Sequence, residues 1–161
     1  MDTSEAQDAL LYHAMWGKAA EVFQHVEVSD FDPGPRQDLA EILERGHLSG
    51  HCDASWAKDE AVRLGRPKTD FIALVATSMF TGSVGYYGHR LRESTIRRKA
   101  VEAMTRGIQL LNSGHETFDA IQVVKDGLQM LPQPKDSDDD AWTINEIMGL
   151  DLQQRGFTLP N

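Results

Sequence analysis

The seven residues from position 47 to position 53 contain four side chains that can bind a transition metal, namely His47, His51, Cys52 and Asp53. Zinc accepts imidazole, thiolate and carboxylate ligands, so this segment is a candidate metal site. A structural zinc site needs four ligands that converge on one point, and the sequence offers no second Cys/His pair to complete it. We therefore favour a loop over residues 47–53 in which Asp53 caps the next helix, and we expect no metal ligand in this chain.

Cys52 is also a candidate nucleophile, because any of the six histidines could in principle serve as its base. Nothing in the local sequence orients such a pair, so we predict a small buried thiol without a chemical role. A lone cysteine forms no internal disulfide, which is typical of a reducing compartment. The chain has neither a signal-peptide pattern nor a run of about 20 apolar residues, and we expect a cytoplasmic protein without membrane contact.

Nucleotide-binding motifs are missing from the sequence. No stretch matches the phosphate-binding loop G-x-x-x-x-G-K-[ST], and no G-x-G-x-x-G follows a strand pattern. We therefore expect no catalytic or cofactor-binding residue in this chain, and no enzymatic activity of the chain by itself.

One basic cluster stands out in a chain whose formal net charge is -9. A basic helix can contact phosphates, so a helical DNA-binding protein is one alternative function. The acidic total disfavours general binding to polyanions, and we expect DNA to bind weakly if at all. Salt bridges or a protein contact are the favoured role of the cluster. Its members are Arg90, Arg92, Arg97, Arg98, Lys99 and Arg106, of which Arg90, Arg97, Arg98 and Lys99 are the candidate nucleic-acid contacts.

Helical periodicity dominates the chain, and strand-like alternation is nearly absent, so the predicted fold class is all-α. Ser4 is the predicted cap of the first helix, Gly17 should interrupt the helix that follows from it, and Gly46 should end the helix that Pro35 begins. The residues from Phe71 to Phe80 are so uniformly apolar that we expect burial on most sides. Helices are expected at about residues 4–15, 19–26, 35–46, 54–64, 71–80, 83–111 and 117–131.

The last two of these helices carry apolar residues at alternating spacings of three and four, and a short turn over residues 112–114 joins them. This pattern predicts an antiparallel helical hairpin, which either packs on the rest of the domain or associates with a second copy. We expect a seam in which Val101, Met104, Ile108 and Leu111 face Phe118, Ile121, Val124 and Leu128, and an outer edge that carries Ile96, Val123 and Met130. Together these are the candidate self-association residues.

From Pro132 the composition becomes acidic and proline-rich, which is typical of a linker. We divide the chain into a helical domain over residues 1–131, with a bundle at 4–82 and a hairpin at 83–131, and a linker at 132–161. A short amphipathic helix after Asp140 would need a docking surface, since it has no core of its own. Its apolar residues are Trp142, Ile144, Ile147 and Met148.

Three segments resemble the N-terminal domain of DnaB-type replicative DNA helicases. Residues 9–15 are similar to the first-helix pattern A-L-L-G-A-x-L, and residues 29–43 resemble the family's x-D-F-Y segment and the helix after it. The most specific match is Tyr86-Tyr87-Gly88-His89-Arg90-Leu91-Arg92-Glu93, which is similar to Y-Y-A-x-I-V-R-E. The resemblance spans about residues 5 to 131.

The resemblance implies a helical bundle followed by a hairpin, in a non-catalytic module that oligomerises and docks partners during DNA replication. It implies self-association as a dimer or as the collar of a hexameric ring, and binding of primase or a helicase loader. ATP and Mg would belong to an ATPase domain that this chain lacks, and the 140–150 segment would dock there. The alternative is a freestanding adaptor that binds a helicase or primase in trans.

Overall fold

Helices account for about three-quarters of the chain that the computed structural model describes, which comprises residues 2–133 and Lys135. No strand occurs in that part, so the predicted all-α class is confirmed. A kinked segment at Ala14–Lys18, in which Trp16 and Gly17 depart from helical backbone angles, and a 3₁₀ turn at Val28–Asp30 supplement the α-helices. These are α1 (Ser4–His13), α2 (Ala19–His25), α3 (Pro35–Leu48), α4 (Ala54–Leu64), α5 (Thr69–Thr77), α6 (Val84–Asn112) and α7 (Thr117–Gln129).

Local sequence signals explain most helix ends. Gly17 has a φ of 97°, which L side chains rarely adopt, and it bends the chain between α1 and α2 as predicted. Pro35 occupies the first turn of α3, where its missing N–H costs nothing. The Asp53 carboxylate accepts a hydrogen bond of 2.7 Å from the Trp56 backbone N–H and so caps α4. Gly65, with a φ of 76°, ends that helix.

Three local predictions are wrong. Ser4 lies inside α1, and Thr3 occupies the cap position. Gly46 does not end α3, which continues to Leu48. Instead, Gly46 is buried where a Cβ atom would overlap the carbonyl oxygen of His51, so glycine is needed there for close packing rather than for a helix stop. Helix α5 is not buried on most sides, because Leu74 is 66% exposed.

The core of the bundle lies where α1 packs between α3, α5 and the first half of α6. Large apolar side chains meet there without exposure, and the buried Gln7 donates to the Thr3 hydroxyl at 3.0 Å. The side-chain oxygen of Gln7 also accepts the backbone N–H of Asp32 at 2.8 Å. The largest fully buried residues include Leu10, Leu11, Phe31, Leu39, Ile42, Leu43, Ile72 and Leu91.

Helix α6 is continuous, and its two halves pack against different helices. Its first half packs on α1 and α2, and its second half pairs with α7. The predicted division at residues 82 and 83 stays a prediction, since this helix begins in the bundle. The predicted linker and its helix, with Trp142, Ile144, Ile147 and Met148, lie outside the described residues.

Candidate protein-interaction site

Helices α6 and α7 approach each other through small residues. A Cβ atom at Gly107 would overlap the Val124 side chain, and one at Gly127 would lie 2.8 Å from the Ala103 Cβ. Ala120 is buried on the same side of α7. Glycine and alanine at these positions allow the two helix backbones to come closer than larger side chains would allow.

The large apolar residues predicted to fill this seam are therefore not in it, and that expectation is wrong. Because the small residues already close the gap, the larger side chains lie beside the seam, where the described residues cover them only in part. Of the predicted seam residues only Val124 takes part in the close approach. The exposed fractions are Val101 54%, Met104 46%, Ile108 58%, Leu111 44%, Phe118 80%, Ile121 40% and Leu128 36%.

These exposed residues form one surface, which we call the hairpin face. Met104 and Ile108 each follow a seam residue of α6 by one position, and Ile121 and Leu128 do the same on α7. One residue corresponds to a rotation of about 100° around a helix. Viewed from one end of the hairpin, a step of one residue turns in opposite senses on the two antiparallel helices. Because the helices face each other, the stripe that follows the seam by one position on α6 and the corresponding stripe on α7 lie on the same side of the hairpin. The hairpin face is thus a continuous apolar surface over both helices.

The predicted outer edge has a mixed outcome. Ile96 and Val123 are half-buried, so neither forms an exposed edge. Met130 is 84% exposed, but it follows Ala120 by ten positions and so lies on the side of α7 away from the hairpin face. The hairpin face is bordered by Lys125, which helical spacing places between Ile121 and Leu128.

A buried ion pair joins two of the sequence segments that carried the resemblance. Arg92 Nη1 donates to both carboxylate oxygens of Asp30, at 3.0 and 2.9 Å. The Asp30 side chain is fully buried and that of Arg92 is 8% exposed. Asp30 also accepts the Glu27 backbone N–H at 2.8 Å, which closes the 3₁₀ turn. The pair fixes α6 against the turn that leads into α3.

The chain has a DnaB N-terminal-like fold. The solved structure of the N-terminal domain of DnaB helicase from Mycobacterium tuberculosis superposes with a TM-score of 0.68 at 20% sequence identity. The match covers 77% of this chain and 94% of that one. No family model matches the sequence, and no curated protein does.

Within this DnaB-like fold, the ion pair corrects one sequence interpretation. Arg92 was grouped with the surface basic cluster, yet it is buried and bonded to a residue 62 positions away. The sequence signal that could have found it is the presence of Asp30 and Arg92 in two separate segments of the same family resemblance. A count of charges along the sequence does not reveal a pair whose members are so far apart in the chain.

The four candidate nucleic-acid contacts lie on the exposed side of α6, and three of them have partners there. Arg90 donates to the Tyr86 hydroxyl at 3.0 Å and lies over that ring. Arg97 bonds Glu93 at 2.6 Å, and Arg98 lies 3.9 Å from Glu102. Lys99 is exposed. These ion pairs agree with the favoured prediction of a salt-bridged helix surface.

The His47–Asp53 segment forms no metal centre in the structure. No group of three or more histidine, cysteine or acidic side chains within residues 2–133 and 135 has the arrangement of a metal site. The Cys52 thiol is half-buried and donates to the carbonyl oxygens of Ala14 and Leu43, both at 3.5 Å. Burial, with a smaller contribution from Asp53, raises the pKa of this thiol, which opposes a role as nucleophile.

Across the described residues, no helix is both long and apolar enough to traverse a lipid bilayer.

Proposed function

We propose that this chain is a non-catalytic module of a replicative DNA helicase, which oligomerises and docks partners such as primase or a helicase loader. The observation that supports the proposal most directly is the hairpin face, a stripe of large apolar side chains on a DnaB-like fold. Contiguous apolar surfaces of this kind mark sites of protein interaction.

The free energy of burying the apolar hairpin face favours a second copy of this chain as its first binding partner. Burial of about 600 Å² of apolar surface per partner contributes on the order of 15 kcal/mol at ~25 cal/mol/Å². Lost rigid-body freedom and side-chain ordering offset much of that gain. Two hairpin faces related by a two-fold axis would form a four-helix arrangement, which satisfies the apolar residues of both copies. Dimers of this kind could then build a hexameric collar.

Sedimentation equilibrium between 1 and about 100 μM tests self-association. Ile108→Glu places a charge on the hairpin face and should give a folded monomer. Arg106→Glu is the matched control, because Arg106 is an exposed residue of α6 that lies about 200° around the helix from Ile108, away from the hairpin face. A wild type that stays monomeric throughout, or an Arg106→Glu variant that dissociates equally, contradicts the proposal.

Partner docking needs its own experiment. A labelled chain is titrated with a bacterial replicative primase, and separately with the ATPase domain of a DnaB-type helicase. Binding to primase supports the docking role. Tight binding to the ATPase domain in trans would instead favour the adaptor alternative, and binding to neither would contradict docking.

A further inference from the structure

The segment that follows α7 is anchored to the bundle by Arg92. Nε and Nη2 of this side chain donate to the Gln133 carbonyl oxygen at 3.2 and 3.1 Å, while Nη1 donates to the Asp30 carboxylate. The same guanidinium therefore joins three parts of the molecule, which are α6, the turn before α3 and the segment that follows α7. Lysine has a single side-chain nitrogen and could not hold both partners with this fork of donors.

The contact at Gln133 requires the chain to run back along α6 towards the bundle. The close approaches at Gly107 and Gly127 put Gln129, the last residue of α7, level with about position 101 of α6. Arg92 lies about nine positions nearer the bundle, which corresponds to about 13 Å along the helix axis. The four residues that lead from Gln129 to Gln133 span about 13 Å when extended. An extended course thus brings the Gln133 carbonyl group to Arg92.

A second anchor lies between α7 and Gln133. Leu131 is 8% exposed, whereas its neighbour Met130 is 84% exposed. Pro132 follows, and a residue before proline is disfavoured in the helical conformation, so α7 cannot continue through this position. The buried leucine and the bonded carbonyl group are only two residues apart. Each anchor therefore lowers the entropic cost of forming the other.

The two sides of the Arg92 guanidinium differ in exposure. The Asp30 carboxylate is fully buried, whereas the contact with Gln133 is only partly buried. When Gln133 leaves, Nη1 keeps its buried partner, and Nε and Nη2 can donate to water instead. The contact with the segment after α7 can therefore break while the bundle keeps its ion pair.

We propose that Leu131, Gln133 and Arg92 form a latch, which closes the end of the hairpin onto the bundle and opens as one unit without unfolding either part. The closed latch fixes the end of α7 beside the first half of α6. The open latch releases the chain from Leu131 onward, while α6 still connects the hairpin to the bundle. A pull on the chain beyond Lys135 would act on the latch before it reached the core.

Solvent exchange of the Arg92 Nε–H, followed by NMR in the full chain, reports the state of the latch, because this proton is bonded to Gln133. Leu131→Ala removes the buried anchor and should speed that exchange at least about tenfold. Met130→Ala is the matched control, because it truncates the exposed neighbour and should leave the exchange rate unchanged.

The Nε–H of Arg36 serves as an internal reference, since it is bonded to Asp8 at 2.7 Å within the bundle. It should exchange at the same rate in the wild type and both variants. If Leu131→Ala leaves the Arg92 signal unchanged, the two anchors act separately and the latch is overturned. Equal acceleration at Arg36 would overturn it as well, because the bundle would then open together with the segment.

A substitution at the other side of the latch tests the coupling in the opposite direction. Arg92→Lys keeps a buried cation but loses the fork of donors that holds Gln133. The backbone N–H of Leu131, which donates to the Leu128 carbonyl oxygen at 3.3 Å, should then exchange faster. Arg97→Lys is the control, because Arg97 is an exposed arginine of the same helix. The same Leu131 exchange rate in both variants would contradict the latch.

Discussion

The two halves of α6 differ in what surrounds the same kind of side chain. In the bundle, Leu91 is 2% exposed and Tyr87 is 5% exposed, because α1 and α2 cover that half. In the hairpin, Ile108 is 58% exposed, because α7 contacts α6 through glycine and alanine. The first half satisfies its apolar residues within the domain. The second half leaves them partly exposed, and this exposure is the basis of the proposed interaction surface.

The largest expected effect comes from the ion pair that anchors the bundle half. Removal of the Asp30 carboxylate by Asp30→Ala takes away the only buried acidic partner described for Arg92 and leaves the half-exposed Glu27 carboxylate, 3.7 Å from Nη1, as its acidic neighbour. The free energy of unfolding should therefore fall by about 3–5 kcal/mol. Urea unfolding followed by circular dichroism measures it. The exposed pair of Arg97 and Glu93 provides the control, because Arg97→Ala should change stability little. Equal losses in the two variants would show that burial does not distinguish the pairs.

Truncation of one apolar residue in each half tests the comparison directly. Leu91→Ala creates a cavity in the bundle and should cost about 2–5 kcal/mol of unfolding free energy. Ile108→Ala removes exposed surface, so the stability of the monomer should change by less than about 1 kcal/mol while self-association weakens. Denaturation at low protein concentration separates the two effects. A large loss of monomer stability from Ile108→Ala would place that residue inside the fold.

The seam itself should be sensitive to a single methyl group. Gly107→Ala introduces a Cβ that overlaps Val124, and we expect a loss of about 1–3 kcal/mol. Val124→Ala makes room for that methyl, so the double variant should be more stable than the sum of the single effects implies. Thermal unfolding of the four proteins measures the coupling. Strict additivity would contradict direct contact between these positions.

The smallest effect is expected for DNA. Arg97→Ala combined with Arg98→Ala should change DNA affinity little, because binding is weak from the start in a chain of net charge -9. Fluorescence anisotropy with a labelled duplex at about 150 mM salt measures it. Micromolar binding by the wild type that these substitutions abolish would favour a nucleic-acid interface on α6 over the protein-interaction role.

The sequence predicted helix positions better than helix contacts. Asp53, Gly65 and Gly17 act through their immediate neighbours, so local chemistry sufficed to place the ends they set. The prediction for Gly46 was wrong because a glycine near a helix end can either end the helix or allow another segment to pack closely. Only the contact with His51 shows that the second role applies.

The hairpin seam was misassigned for a different reason. A prediction from apolar periodicity places large side chains in the seam. The close contact between α6 and α7 instead requires small residues, which are Ala103, Gly107, Ala120 and Gly127. Their spacing of four on α6 and seven on α7 is visible in the sequence and could have indicated the seam. The buried state of Arg92 depends on Asp30, which is too far along the chain for any local pattern to reveal.

The unbroken course of α6 has a mechanical consequence. Its 29 residues span about 43 Å at 1.5 Å per residue. One end packs in the bundle, and the other end leads into the hairpin turn. The helix is therefore a lever. A tilt of about 10° at the hairpin displaces the far end by about 7 Å over this length. If two hairpins pair as proposed, a change in the angle at which they cross would reposition whole bundles without changing the fold of either.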